Sequence, residues 1–178
     1  MRGAGAASSE ARALLGRTMN ERYTIRRFAP KDAAEVRTII HRALHEVCSK
    51  CYPADIIAGV CDRFSIEQLV RQGATTHIYV AESASGRLLG TGSIAPYFGS
   101  ETESVLLTIY VLPDLTGRGI GSEIVRTLEK DEFFLRAKRI EVPSAVNAVD
   151  FYRKMGYVFK DSGKIPGNDG LIRLEKRR

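Results

Sequence analysis

Gly117, Gly119 and Gly121 fall within one short stretch, between an apolar run over residues 105–112 and a helical pattern carried by Ile120, Ile124 and Leu128. A strand that ends in nearly bare backbone and opens into a helix is a place for an anion. The first N–H groups of a helix have no intrahelical partner and carry about half a positive charge, and glycine lets a phosphate approach without meeting a Cβ. The turn therefore predicts a nucleotide-like ligand. A Walker loop, G-x-x-x-x-G-K-[ST], occurs nowhere in the chain. A dinucleotide-binding turn comes nearer, because Gly117-x-Gly119 is followed by small Ser122 and Glu141 closes the next apolar strand. Its third position is not Gly or Ala, however, and Pro113-Asp114 stands between the strand and the glycines.

A second set of residues has the types that hold metals. His41, His45 and Cys48 lie along one flank of a helical pattern, Cys51 completes a Cys-x-x-Cys, and Cys61 follows. A tetrahedral zinc site draws its ligands from more than one element, whereas here all but Cys61 come from one rod. Cys51 also continues the apolar face through Val47. No metal is expected, and cysteines of an intracellular protein need no disulfide.

The stretch Leu112-Pro113-Asp114-x-x-Gly117-Arg118-Gly119-Ile120-Gly121-Ser122 is followed by Pro143-Ser144-x-x-Asn147-Ala148-x-x-Phe151-Tyr152-Arg153-Lys154-Met155-Gly156-Tyr157. Together these resemble the core of the GNAT superfamily of acyl-CoA-dependent N-acyltransferases. The family opens its turn with Gln or Arg where this chain has Thr116. More loosely, the resemblance extends over residues 22–176.

The resemblance implies acetyl-CoA as cosubstrate and a primary amine as acceptor. It implies that the pyrophosphate lies on Thr116, Gly117, Arg118, Gly119, Ile120, Gly121 and Ser122. The pantetheine arm would pair with the main chain of Ile109, Tyr110 and Val111, whose N–H at the Val111 end would polarise the carbonyl. Asn147 would contact the cofactor. Tyr152 would sit beside its sulfur and protonate the leaving thiolate, although Ala148, Val149, Tyr152 and Met155 also make an apolar helical stripe in which a tyrosine can simply be core. No general base is singled out: Glu103, Tyr97, His77 and Glu82 are candidates, and the strand position where some relatives carry Glu is Val105. The acceptor is expected between residues 48–66 and 162–170. A catalytically silent acyl-CoA-binding or interaction module is the rival from another class.

The elements needed to position these groups are legible as periodicities. A strand is expected over residues 23–28, then a helix opened by Pro30 and Asp32 with Val36, Ile40, Ala43, Leu44 and Val47 inward. One helical region follows over 54–73, burying Ile56, Val60, Ile66, Leu69 and Val70. Strands over 76–81 and 88–94 make a hairpin through Ser85-Gly86, the second thinned by Gly90 and Gly92. After the 105–112 strand and the glycine-headed helix come a strand over 139–142, a helix over 145–155 capped by Ser144 and Gly156, and strands over 157–160 and 171–174. The order implies an α/β (α+β) fold with a mixed, mostly antiparallel sheet flanked by helices.

Length and composition fit one domain over residues 21–178, which the resemblance makes an N-acetyltransferase domain, behind a mobile tail over 1–20 rich in Ala, Gly, Ser and Arg. Hydrophobic residues make up 44% of the chain, which suits a packed core, and no apolar run nears the ~20 residues of a membrane span. A soluble, cytoplasmic monomer or homodimer is expected. The net charge of +6 is spread along the chain without an aromatic nucleic-acid signature, so neither nucleic acid nor membrane is an expected partner.

Overall fold

The computed structural model describes residues 22–160 and 165–178. Residues 1–20 lie outside them, as do Ser162, Gly163 and Lys164 of the expected acceptor loop. The chain runs β1 (Tyr23–Arg27), α1 (Ala33–Glu46), α2 (Ala54–Cys61), α3 (Ile66–Thr75), β2 (His77–Ser83), β3 (Leu88–Pro96) and β4 (Glu103–Val111). It continues through α4 (Ile120–Leu128), α5 (Glu132–Arg136), β5 (Arg139–Ser144), α6 (Val149–Lys154), β6 (Val158–Phe159) and β7 (Ile172–Arg177). The strands form one seven-stranded sheet in the order β1-β2-β3-β4-β5-β7-β6. Every neighbouring pair is antiparallel except β4 and β5. This is the mixed, mostly antiparallel sheet flanked by helices that the order of elements, shared with the resembled family, implies. Among the described residues no helix is long and apolar enough to cross a membrane.

The sheet packs where side chains are missing as much as where they are present. A Cβ on Gly92 would lie 2.5 Å from Ile124 Cγ2, and one on Gly90 would lie 3.0 Å from Ile124 Cδ1. The two glycines that thin β3 are therefore the bed of α4, which buries Ile120, Ile124, Val125 and Leu128 against the sheet. Helix α1 buries Ala33, Val36, Ile39, Ile40, Ala43 and Leu44 along one stripe, the i, i+3, i+4 pattern of a helix on a core.

Four expectations need correction. The 54–73 region is two helices, because Ser65 starts a new one: its hydroxyl accepts from Gln68 N at 3.2 Å, and its own N–H donates to Gln68 Oε1 at 3.1 Å, a capping box. The two helices bury Ile57, Cys61 and Leu69, and leave Ile56 and Ile66 at 47% and 42% exposure. Ser144 does not cap the last helix; its hydroxyl donates to Ala145 O at 2.8 Å, and a 3-10 turn over Val146–Ala148 precedes α6. Cys51 is exposed and not part of the apolar face. Helix α5 was not expected; Asp131 caps it by accepting from Phe133 N at 2.8 Å. The C-terminal stop is as expected: Gly156, at φ +88°, donates to Arg153 O and Tyr157 N to Tyr152 O, closing a Schellman turn.

One irregularity governs the site. In β4 the register against β3 shifts, with Thr91 opposite Tyr110 but Ser93 opposite Leu107, so Gly92 faces two residues. The extra residue centres on Thr108, which holds φ +57°. A bulge of this kind reverses the in–out alternation beyond it. Ile109 and Val111 thus share the face of α4, near the Cβ positions of Gly92 and Gly121, and Tyr110 turns to the opposite face, where its ring meets Phe64 edge-on at 6.3 Å.

Candidate active site

Strands β4 and β5 pair only at Glu103 with Arg139, Ser104 with Ile140 and Val105 with Glu141. Beyond that point they part, β5 staying with β7 through Ser144 and β4 running on to Val111 with no strand on that side. The opening continues into a cleft of about 1420 Å3, larger than the roughly 300–1,000 Å3 of a common small-molecule pocket. That volume has room for a long ligand and a second reactant together.

At one end the cleft reaches the N-terminus of α4. Gly117 has φ +77° and Gly119, the N-cap, φ +84°. No side chain caps the helix, and a Cβ on either glycine would meet no atom within 4 Å. The turn is thus open backbone facing open space, as an anion cradle requires. Of the residues assigned to that cradle, Thr116, Gly117, Gly119, Ile120, Gly121 and Ser122 line the cleft and Arg118 does not. The Thr116 hydroxyl donates to Pro113 O at 2.9 Å, which commits its proton within the turn. Ile109, Tyr110, Val111, Asn147 and Tyr152 also line the cleft.

The middle of the cleft is phenolic. Tyr152 is 7% exposed, its ring edge-on to Phe151 at 5.0 Å and to Tyr157 at 6.1 Å. Burial pushes its phenol above the ordinary value, with a smaller contribution from nearby Tyr110, and among the described residues its hydroxyl has no hydrogen-bond partner. Burial raises Tyr110 as well. Both therefore stay protonated at neutral pH and can donate. Asn147 lies exposed in the 3-10 turn, and its side chain does not cap it.

Tyr52 was missed by sequence reasoning. Its hydroxyl donates to Gly170 O and accepts from Val146 N, both at 2.9 Å. Gly170, at φ +75°, leaves room for the ring, since a Cβ there would stand 3.2 Å from Tyr52 Cε1. A contact spanning so much of the chain leaves no local signal.

The fold has counterparts among known proteins. Residues 74–159 match the acetyltransferase (GNAT) domain family. Over that stretch the chain is similar to the GNAT acetyltransferases. Its fold is similar to that of the PaiA N-acetyltransferase from Thermoplasma acidophilum solved with coenzyme A, at TM-score 0.76 and 17% identity, covering 88% of this chain and 99% of that one. A GNAT acetyltransferase from Brucella melitensis solved with acetyl-CoA gives TM-score 0.61 and 22% identity over 89% of each chain. The GCN5-related N-acetyltransferase structure from Rhodopseudomonas palustris gives 0.70 and 22% over 87% and 95%. At such identities the likeness speaks to the fold. No curated protein sequence matches the chain.

The side chains that sequence reasoning considered as bases are elsewhere. Glu103 accepts from Arg139 at 3.0 and 2.7 Å, and Glu82 from Arg26 at 2.6 and 3.2 Å. His77 Nδ1 is 2.8 Å from Asp131 and its ring stacks on Phe133, while Tyr97 lies beneath Arg139. None of the four lines the cleft. Nor do the His and Cys residues of α1 and α2 gather: His45 Nε2 is 3.6 Å from Cys61 Sγ, and among the described residues no group of three or more His, Cys, Asp or Glu is placed to hold a metal.

Proposed function

We propose that the protein transfers an acetyl group from acetyl-CoA to a primary amine in the cytoplasm. The observation that carries this reading is the meeting, in one cleft, of the uncapped glycine N-terminus of α4, the unpaired end of β4 and the buried Tyr152 hydroxyl. When bound, acetyl-CoA supplies an acyl group already activated as a thioester. The N–H groups of Ile120, Gly121 and Ser122 bind the pyrophosphate, and the main chain of Ile109, Tyr110 and Val111 aligns the pantetheine arm. The Val111 N–H draws charge onto the carbonyl oxygen. Asn147 orients the cofactor from the opposite wall. Tyr152 delivers a proton to the sulfur as the C–S bond breaks, and the proton shed by the nitrogen that forms the amide restores the phenol through solvent. Because burial keeps the phenols of Tyr52, Tyr110 and Tyr152 protonated, none of them serves as base, and the acceptor reacts as the neutral amine.

The test is a panel of amines offered with acetyl-CoA, read as free thiol release and acetylated product. Acceptor-dependent thiol release supports the reading. Tight binding of acetyl-CoA with no turnover of any amine would favour a silent acyl-CoA-binding module, a reading supported by the lack of a histidine or glutamate among the described residues that line the cleft.

A further inference from the structure

We infer that the acceptor is a small primary amine on an apolar body, admitted beneath a crossbar formed by Tyr52; this rests on the acyl-transfer reading above. The end of the cleft away from the glycine turn is walled by Val47, Ile56, Val60, Phe64 and Tyr110. Ile56 is the informative member. Nearly half exposed at the protein surface, it faces this cavity while its neighbour Ile57 takes the place in the core. The edge-on pair of Phe64 and Tyr110 adds an aromatic floor, the surface that aliphatic and aryl groups pack on best.

Charge argues the same way. Among the described residues, the charged side chains that line the cleft are Asp55, Arg63 and Asp169. Asp55 and Arg63 are exposed and of opposite sign, and Asp169 already accepts from Arg173 at 2.5 Å and from Leu171 N at 3.1 Å. A polycation would give up hydration without gaining a carboxylate inside, whereas an apolar amine loses little.

Size follows from Tyr52. One phenol oxygen ties the connection between α1 and α2, the connection between β5 and α6, and the turn before β7. These three segments rim the acceptor end, and the side chain bridges them. A peptide lying across that rim must break both hydrogen bonds, while a small amine passes without doing so. Tyr52 is accordingly a specificity-determining residue, acting through the width of the opening rather than on the reacting atoms.

The experiment compares kcat/KM for 2-phenylethylamine, n-hexylamine, 1,4-diaminobutane and a lysine-containing pentapeptide, in the wild type, Tyr52→Phe and Ile56→Asp, with acetyl-CoA binding followed by calorimetry. The expected wild-type order places both apolar amines above the diamine and the peptide. Tyr52→Phe keeps the ring and is expected to raise the peptide-to-hexylamine ratio about tenfold, the scale set by two lost neutral hydrogen bonds, with acetyl-CoA affinity unchanged. Ile56→Asp, at an exposed position that tolerates the change, is expected to shift preference towards the diamine. A wild type that prefers the peptide or the diamine overturns the inference and leaves acyl transfer standing. So does an unaltered selectivity in both variants. Failure to bind acetyl-CoA, or binding without turnover of any probe, overturns the acyl-transfer reading and the inference with it.

Discussion

The Tyr152 hydroxyl sits in a packed cleft with no structural duty among the described residues, since it neither caps nor bridges anything. Its loss should therefore cost chemistry and not stability. Tyr152→Phe is expected to lower kcat by about a hundredfold, the low end of general acid assistance, with Tm and acetyl-CoA affinity almost unchanged. Steady-state kinetics and a melting curve on the same preparation decide; equal kcat values assign the residue to the core. Gly119 fails differently. At φ +84° any L side chain is strained by about 1–2 kcal/mol, although its Cβ would touch nothing. Gly119→Ala is expected to show that backbone cost as a lower Tm, and Gly119→Val to add a loss of coenzyme A affinity as the branch fills the cradle. Similar affinity in both variants and the wild type would remove the turn from the binding site. Spacing made Gly119 legible, because a glycine cluster before a helix is a local pattern, while Tyr152 came from the resemblance of its motif and not from its place in an apolar stripe. Tyr52 was not legible, since its worth lies in reaching Gly170 and Val146.

Among the elements, helices and strands with a clean period were read correctly and irregular ones were not. The bulge in β4 is centred on Thr108, a β-branched residue at positive φ, the opposite of what such a turn of the backbone invites. Simple alternation from Leu106 would have put Tyr110 beneath α4; the bulge sends it to the acceptor side. Ile56 was counted as core because an apolar side chain lining a cavity looks the same in sequence as one in the interior, and Ile66 because it shares the helical period although it stands at the surface. Helix α5 is too short to show a period at all. The entry of the chain into α1 rests on a charge cluster: Asp32, buried, accepts from Arg26 at 2.7 and 3.0 Å and from Ala29 N at 2.8 Å. The hydrogen bonds from Arg26, outweighing burial, hold its carboxyl below the usual carboxylate value. A folded-state pKa below the unfolded one, near ~3.9, means that the stabilisation is complete at neutral pH and lost as pH falls through the folded value. Asp32→Asn should thus lower Tm at pH 7, and the gap to the wild type should close in acid. A gap that stays constant down to about pH 3 would show that Asp32 acts by hydrogen bonding alone.

For the molecule as a whole, the cleft dictates which ligand stabilises it. Coenzyme A and acetyl-CoA are expected to raise Tm with concentration, as any ligand of the native state does, while NAD and NADP leave it unmoved. Calorimetric titration gives the same answer independently, and tight NAD binding without coenzyme A binding would return the glycine turn to the dinucleotide class. The three residue pairs that join β4 to β5 have a mechanical consequence. The sheet is two half-sheets, β1 to β4 and β5 to β6, meeting at a short hinge, and Arg139 rivets it: Nε and Nη2 donate to Glu103 on β4 while Nη1 donates to Glu141 on its own strand at 2.7 Å. Arg139→Gln should speed amide exchange at residues 139–141 while β2 and β3 keep their protection; unchanged exchange would mean that the backbone holds the hinge unaided. The jaw angle of the two half-sheets is then set at its closed end by one arginine and at its open end by whatever is gripped there.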